Sequence, residues 1–360
     1  MIDVLMLSGD AKVLDKKSAV YNRMALYAKN INSLTVFVSG KNKDTTKSES
    51  NLRIVGTGIE NRLFSLFVIF VKVVFFIFKK SKKSEKLIIT TQDPFALGFI
   101  GTIMSMLFKI PIEIQVHTDL LGIISNNGKW RKYVSSFSLN RANSIRVVSQ
   151  KVKDGILSIN QNLEEKINIL PIIPPNFIPE NCIFNKNEKI VLVVSRLEEE
   201  KDVEYALRFF RKILDEVRDV KLRIAGEGSL YEHLKQMTFK YGISDSVVFL
   251  GHVDDMVKEY AKATILLHTA KFEGFGLVFL EAGLCGLPIV STDVGIAKDI
   301  GAIVINRDGL VSKDVILLLS DEKRWTEISK RVLRGTQKIA LDKDVYIEKI
   351  IASWNNLGSK

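Results

Sequence analysis

The chain has little cysteine, proline or histidine: 2 Cys, 7 Pro and 4 His in 360 residues. Cys182 and Cys285 are far apart and lack metal-ligand spacing, so neither a disulfide framework nor a zinc site is expected. That usage fits a reducing compartment. Four of the seven prolines crowd into one stretch, LPIIPPNFIPE at 170–180. No apolar run has the roughly 20 residues a spanning helix needs; Leu63 to Phe78 is shorter and Lys72 interrupts it. The start, MIDVLMLSGD, has neither a preceding basic region nor a small-residue cleavage site and reads as a first strand rather than a signal peptide. There is no low-complexity tract and no short-period repeat.

What is present describes a globular protein. Hydrophobic residues make up 46% and charged residues 26%, a balance that supports sizeable cores, and the length suits about two domains. The net charge is +11, which favours anionic partners: nucleic acid, anionic lipid or small anionic substrates. The basic residues are scattered without interleaved aromatic stacking platforms, which argues against nucleic acid. The segment LFSLFVIFVKVVFFIFKKSKKSEK (63–86) allows two readings. It is a helix buried in a domain core, or a helix with one face on an anionic membrane surface and its lysines at the headgroups. The lysines at its end also complement a helix dipole.

Short apolar runs alternate with helical patterns. Runs 4–8, 34–39, 86–90, 112–117 and 144–149 are strand-like, with helical stretches at 18–30, 62–81, 95–108 and 128–140. Strands with little internal alternation are buried on both faces, and strand–helix–strand order predicts a parallel doubly wound sheet. The proline stretch, stiff and donor-poor, marks a boundary. The rhythm then restarts, with strands at 189–195, 220–226, 247–251, 264–269 and 288–292 and helices at 202–217, 229–242, 256–263 and 277–286. The expected class is α/β, with two Rossmann-like domains (1–172 and 173–341) facing a cleft at their strands' carboxyl ends. The polar stretch 41–51 reads as a surface loop.

Three constellations could carry chemistry. In KFEGFGLVFLEAGLCGLPIVSTDVG (271–295), Glu273 and Glu281 bracket a glycine-lined turn into a helix. The first N–H groups of that helix (Gly276, Leu277, Val278) and its dipole form an anion site. An acid on each side of a phosphate site suits a ligand with hydroxyls at both ends of a diphosphate, such as a nucleotide sugar. In SRLEEEKD (195–202), Arg196 and Lys201 follow a strand and are suited to a diphosphate leaving group; the plain alternative is a solvated turn in which they pair with the glutamates. In QVHTD (115–119), His117 ends a strand, and Asp119 either orients it or caps the next turn. Gly226 and Gly228 in IAGEGSLYEHL form a tight turn near a bound nucleotide, without the full G-x-G-x-x-G spacing. Gly9, in the loop after the first strand, permits close backbone approach.

With Glu273 and Glu281 spaced E-x7-E, and Arg196 and Lys201 in SRLEEEKD, the chain resembles the retaining glycosyltransferases of family 4, which have the GT-B fold. IAGEG, VVFLG and LPIVSTDVG fall in the matching order. The resemblance implies a nucleotide-diphosphate sugar as donor, no metal, and transfer with retention. It implies that Arg196 and Lys201 bind the diphosphate and that Glu281 binds the ribose. Glu273 lies on the sugar side, with backbone of Phe275, Gly276 and Leu277 at sugar or phosphate, and His117 contacts the donor sugar. It also implies a last helix (342–360, with Trp354) crossing back to the first domain. The first loop departs from the family, with a single Gly9 where many members have a glycine pair. A lipid-linked or glycan acceptor and a cytoplasmic place, at the inner membrane face if 63–86 touches lipid, are the accompanying expectations. A nucleotide-sugar epimerase of the same shape is the alternative.

Overall fold

The computed structural model describes residues 2–40, 45–47, 51–80, 86–127, 129–173, 179–183, 185, 188–307 and 312–358. They form two compact units, Met1–Leu170 with Asp342–Lys360, and Pro171–Leu341.

The first unit holds strands β1 (Asp3–Ser8), β2 (Ser33–Val38), β3 (Thr45–Lys47), β4 (Leu52–Gly56), β5 (Leu87–Thr91), β6 (Ile112–Val116), β7 (Ser144–Val147) and β8 (Ile167–Ile169). Its helices are α1 (Ala19–Lys29), α2 (Arg62–Lys80), α3 (Ala96–Phe108), α4 (Leu120–Asn127), α5 (Lys129–Arg141) and α6 (Gln150–Ile159). The sheet order is β3-β4-β2-β1-β5-β6-β7-β8. All neighbours run parallel except β3, which pairs antiparallel with β4. The polar stretch read as a loop therefore contains an edge strand. Its residues TTK carry no apolar signal, and only backbone pairing reveals them.

The second unit alternates β9 (Lys189–Val194), α7 (Val203–Glu216), β10 (Val220–Ala225), α8 (Tyr231–Lys240), β11 (Val247–Gly251), α9 (Met256–Lys262), β12 (Ile265–His268), α10 (Leu277–Leu284), β13 (Ile289–Ser291) and β14 (Ile303–Val304). Two further helices follow, α11 (Lys313–Leu318) and α12 (Glu322–Ile339). The sheet is parallel, in the order β11-β10-β9-β12-β13-β14. Its central strands are buried on both faces, which explains their unbroken Val/Ile/Leu runs. The chain lays β10 and β11 on one side of β9 and then returns to place β12 on the other. The order reverses between β9 and β12, the position where doubly wound sheets bind ligands at their carboxyl ends.

The last helix, α13 (Lys343–Gly358), packs in the first unit. Trp354 is fully buried there and donates Nε1–H to Glu113 Oε1 at 3.0 Å. Glu113, on β6, also accepts from Thr90 Oγ1 (3.1 Å) and Ser353 Oγ (3.0 Å), and lies 3.4 Å from Arg146 Nε.

Helix α2 overturns the expectation of a core helix. Ser65, Ile69, Val73 and Ile77 are buried, a stripe every four residues. On the opposite side Leu63, Phe64, Phe67, Phe75 and Phe78 are exposed, Leu63 by 79%. Lys72 does not break the helix, because its ammonium reaches inward to Gly56 O at 2.9 Å. Lys82 and Lys83, part of the basic run after it, lie outside the described residues.

Candidate active site

The loop between β12 and α10 is pinned at both ends. Lys271 N–H donates to Glu200 O (2.8 Å), and Gly295 and Ile296 N–H donate to Glu273 O (3.2 Å) and Phe275 O (3.0 Å). Gly276 caps α10 at φ +79, and a Cβ there would meet the Phe279 ring at 2.5 Å. Only glycine fits that backbone and that gap. The first-turn N–H groups of Leu277 and Val278 have no acceptor within the helix and carry the positive end of its dipole.

Lys201 and Glu273 form a close ion pair, with only 14% and 20% of their side chains exposed. The structure thus brings together a cation that follows β9 and a carboxylate that follows β12. Arg196 is 69% exposed and pairs with Glu200 at 2.7 Å. Glu281 is held on α10, where Tyr260 donates its hydroxyl to Oε2 at 2.7 Å. Burial pushes the Glu281 carboxyl above the usual carboxylate range, against the lowering effect of that bond.

His268, which sequence reasoning passed over, ends β12. It is buried, and its ring stands edge-on to Phe279 with centroids 4.7 Å apart. Its Nε2 lies 3.8 Å from Glu273 Oε1 and makes no hydrogen bond among the described residues. Burial, helped by the Lys201 charge, lowers its pKa to about 3, so the ring is neutral. Ser195 Oγ, just beyond β9, is the second buried polar atom here with no partner among the described residues. Two unsatisfied buried groups at the ends of neighbouring central strands are costly unless something else bonds to them. Arg307 was also missed: it pairs with Asp202 and donates from Nη2 to Thr269 O at 2.7 Å. The signal that finds these residues is topology, because all of them gather at the β9/β12 reversal.

Gly226 has φ +140, and a Cβ would come within 1.8 Å of Ser195 O. With Leu197 N–H donating to Glu227 O at 2.8 Å, this clamps the 226–230 turn against the SRLEEEKD loop. No described residue cluster has the His, Cys, Asp or Glu composition of a metal site. Cys182 and Cys285, distant in sequence, meet in the fold: Cys182 N–H donates to Cys285 O at 2.9 Å, and both thiols are free.

In the first unit, His117 is half-buried and bonds Gln115 Oε1 through Nε2 at 3.0 Å. Desolvation, then the charges of Arg146 and Arg23, lowers its pKa to about 3. Asp119 takes the plainer of its two roles, accepting from Gly122 N–H (3.2 Å) at the start of α4. Gly9 is exposed beside Ser8, whose hydroxyl reaches Gln92 Oε1 at 2.5 Å; a Cβ on Gly9 would meet only Leu97 Cδ1, at 3.8 Å. Local packing therefore does not require glycine at that position.

These features place the chain in a class, two Rossmann-like units of the GT-B fold. A solved structure of Anabaena HepE, in complex with UDP and glucose, superposes with a TM-score of 0.74 at 15% identity over 99% of this chain and 100% of that one. Residues 176–330, within the second unit, match the family model "Glycosyl transferases group 1". An uncharacterized glycosyltransferase of Methanocaldococcus jannaschii is 29% identical over 216 residues, covering 55% of this chain and 55% of the relative. Alpha-monoglucosyldiacylglycerol synthase of Streptococcus pneumoniae is 27% identical over 232 residues, covering 59% and 53%. The chain thus spans about half the length of these curated relatives.

Proposed function

We propose that the chain is a retaining glycosyltransferase that moves a sugar from a nucleotide-diphosphate donor to a lipid-linked or glycan acceptor at the membrane face. The observation that carries this reading is the Lys201–Glu273 pair beside unpartnered His268 and Ser195, at the strand reversal and next to the glycine-capped start of α10. A diphosphate entering there would compete with Glu273 for Lys201 and accept from the Leu277 and Val278 N–H groups. Neutral His268 can donate to an oxygen without adding charge. As the bond from the anomeric carbon to the diphosphate oxygen breaks, charge grows on the leaving phosphate. Fixed donors aimed at that charge supply much of the rate, and this reading needs no metal. The acceptor hydroxyl bonds the same carbon on the same face and passes its proton to the departing phosphate oxygen. Arg196 joins by leaving Glu200, an exposed pair that holds it weakly. Glu281 takes the ribose hydroxyls. UDP and glucose in the HepE complex, and the glycolipid in the pneumococcal relative's name, support the donor and acceptor classes. Nothing in these likenesses favours an epimerase.

A panel of nucleotide sugars tests the reading by thermal shift, since a ligand that binds only the folded form raises its melting point. One or more donors should stabilise the protein and, with a lipid or glycan acceptor, release free nucleotide and glycosylated product. A panel with no stabilising member would overturn the donor assignment. Conversion of the donor to an epimer without acceptor would favour the alternative.

A further inference from the structure

The bare side of α2 continues into a groove against its neighbours. Leu66, Phe67 and Phe70 of α2, Phe99 of α3, and Trp130 and Val134 of α5 line a cavity of about 500 Å³. Arg62 and Arg131 stand at its rim. The Arg131 guanidinium lies 5.4 Å from the Phe95 ring centroid and 5.6 Å from that of Trp130, held over apolar rings. Around the groove Phe67, Phe75 and Trp130 are exposed by 61%, 72% and 57%. Such a contiguous aromatic patch on a protein surface marks an interaction site.

Charge selects the occupant. The sequences of α2, α3 and α5 contain no Asp or Glu. Lys72 and Lys80 turn inward to Gly56 and Asp3, whereas Arg62, Lys79 and Lys132 are exposed. Two acids flank these helices in sequence: Glu60, exposed two residues before Arg62, and Asp93, half-buried and accepting from Phe95 N–H at 2.7 Å. A second copy of the chain would set cations against cations. A leaflet of anionic phospholipid answers both features: its acyl chains take the Phe and Leu side chains, its phosphates take the Arg and Lys heads, and Trp sits between.

We propose that the outer face of α2, with the groove it forms against α3 and α5, seats this unit on an anionic phospholipid leaflet. One acyl chain enters the groove, and Arg62 and Arg131 meet its phosphate. This deepens the proposed function by naming the surface that brings the enzyme to a membrane-borne acceptor. It rests on that reading only for its purpose, because its test needs no turnover.

The test is co-sedimentation of the full chain with phosphatidylglycerol vesicles and with phosphatidylcholine vesicles, alongside the double variant Phe67→Glu/Phe75→Glu. Both sites are exposed, so the variant should keep its circular dichroism and its donor-induced thermal shift. The wild type should pellet with phosphatidylglycerol and much less with phosphatidylcholine, and rising salt should release it. The double variant should lose roughly tenfold or more of its binding. Trp130 is exposed while Trp325 and Trp354 are buried, so a blue shift of emission on vesicle binding that disappears in Trp130→Phe would report contact at the groove. Failure to bind phosphatidylglycerol at low salt, or equal binding by the double variant, overturns the proposal. So does self-association abolished by the double variant without vesicle binding, which would assign the face to a second copy. Vesicle binding by a protein that no nucleotide sugar stabilises would keep this proposal and sink the donor reading.

Discussion

Each unit contains a shielded cation–carboxylate pair, and the two pairs differ in what else reaches the acid. In the first unit Glu113 is fully buried in mid-strand; Arg146, Trp354, Thr90 and Ser353 occupy its oxygens. In the second, Glu273 lies beyond the end of β12 and bonds Lys201, while His268 waits 3.8 Å away without a partner. The first network is closed around its acid and ties α13 to the sheet, although Arg146 Nε, 3.4 Å from Glu113, completes no hydrogen bond among the described residues. The second is open on the side where its strands end. Glu113 accepts three hydrogen bonds and Glu273 one, so the two acids differ in how many partners hold them, and under the proposed function it is the less-held acid that meets a ligand.

The largest expected effect breaks the closed pair. Glu113→Ala leaves buried Arg146 without its carboxylate and Trp354 Nε1–H without its acceptor, and should cost about 3–5 kcal/mol of stability. Urea unfolding measures it. Should that variant fail to fold, Ser353→Ala removes one bond and should cost about 1 kcal/mol. A cost near zero for both would show that α13 is not tethered through Glu113.

Breaking the open pair should do the reverse. Lys201→Ala is expected to lower the transfer rate about 10²–10³-fold, as loss of one preorganised electrostatic contact does, with little change in melting point. Arg196→Ala, at an exposed ion pair, should leave stability within about 0.5 kcal/mol and cost less activity than Lys201→Ala. Equal activity of Lys201→Ala and wild type would remove the charge-stabilising role from the β9/β12 mouth.

How much of this was legible in the sequence follows from which signals are local. Buried parallel strands announce themselves as runs such as KIVLVV, and the amphipathic α7 as its apolar stripe. Edge strand β3 and the two-residue β14 have no such signal, because pairing rather than side-chain pattern defines them. The glycine-capped turn of 273–277 was readable because φ +79 at Gly276 demands that residue. His268 was hidden inside ILLH, where a histidine looks like one more core position; only the strand order places it beside Glu273. An outward face of α2 was one of two sequence readings, and the sequence did not choose between them, since a helix apolar all round does not say which side the sheet takes.

The smallest effect compares the units by their histidines. His268 has its pKa lowered from 6.5 to about 3 by burial. Between those values the unfolded chain binds a proton that the folded chain refuses. Its contribution to stability is therefore complete above about pH 6.5 and is lost as pH falls toward 3, with a slope of at most about 1.4 kcal/mol per pH unit. His268→Gln removes the proton site. The stability gap between wild type and variant should narrow by up to that slope for each unit from pH 6 to pH 4, as followed by urea unfolding. His117 is lowered to about 3 as well, by burial first, so His117→Gln should change the slope in the same sense. Parallel curves for wild type and His268→Gln would mean that His268 protonates freely in the folded state. A charged ring would then stand beside Lys201 at the mouth, and a neutral hydrogen-bond donor for phosphate would be lost from the proposed site.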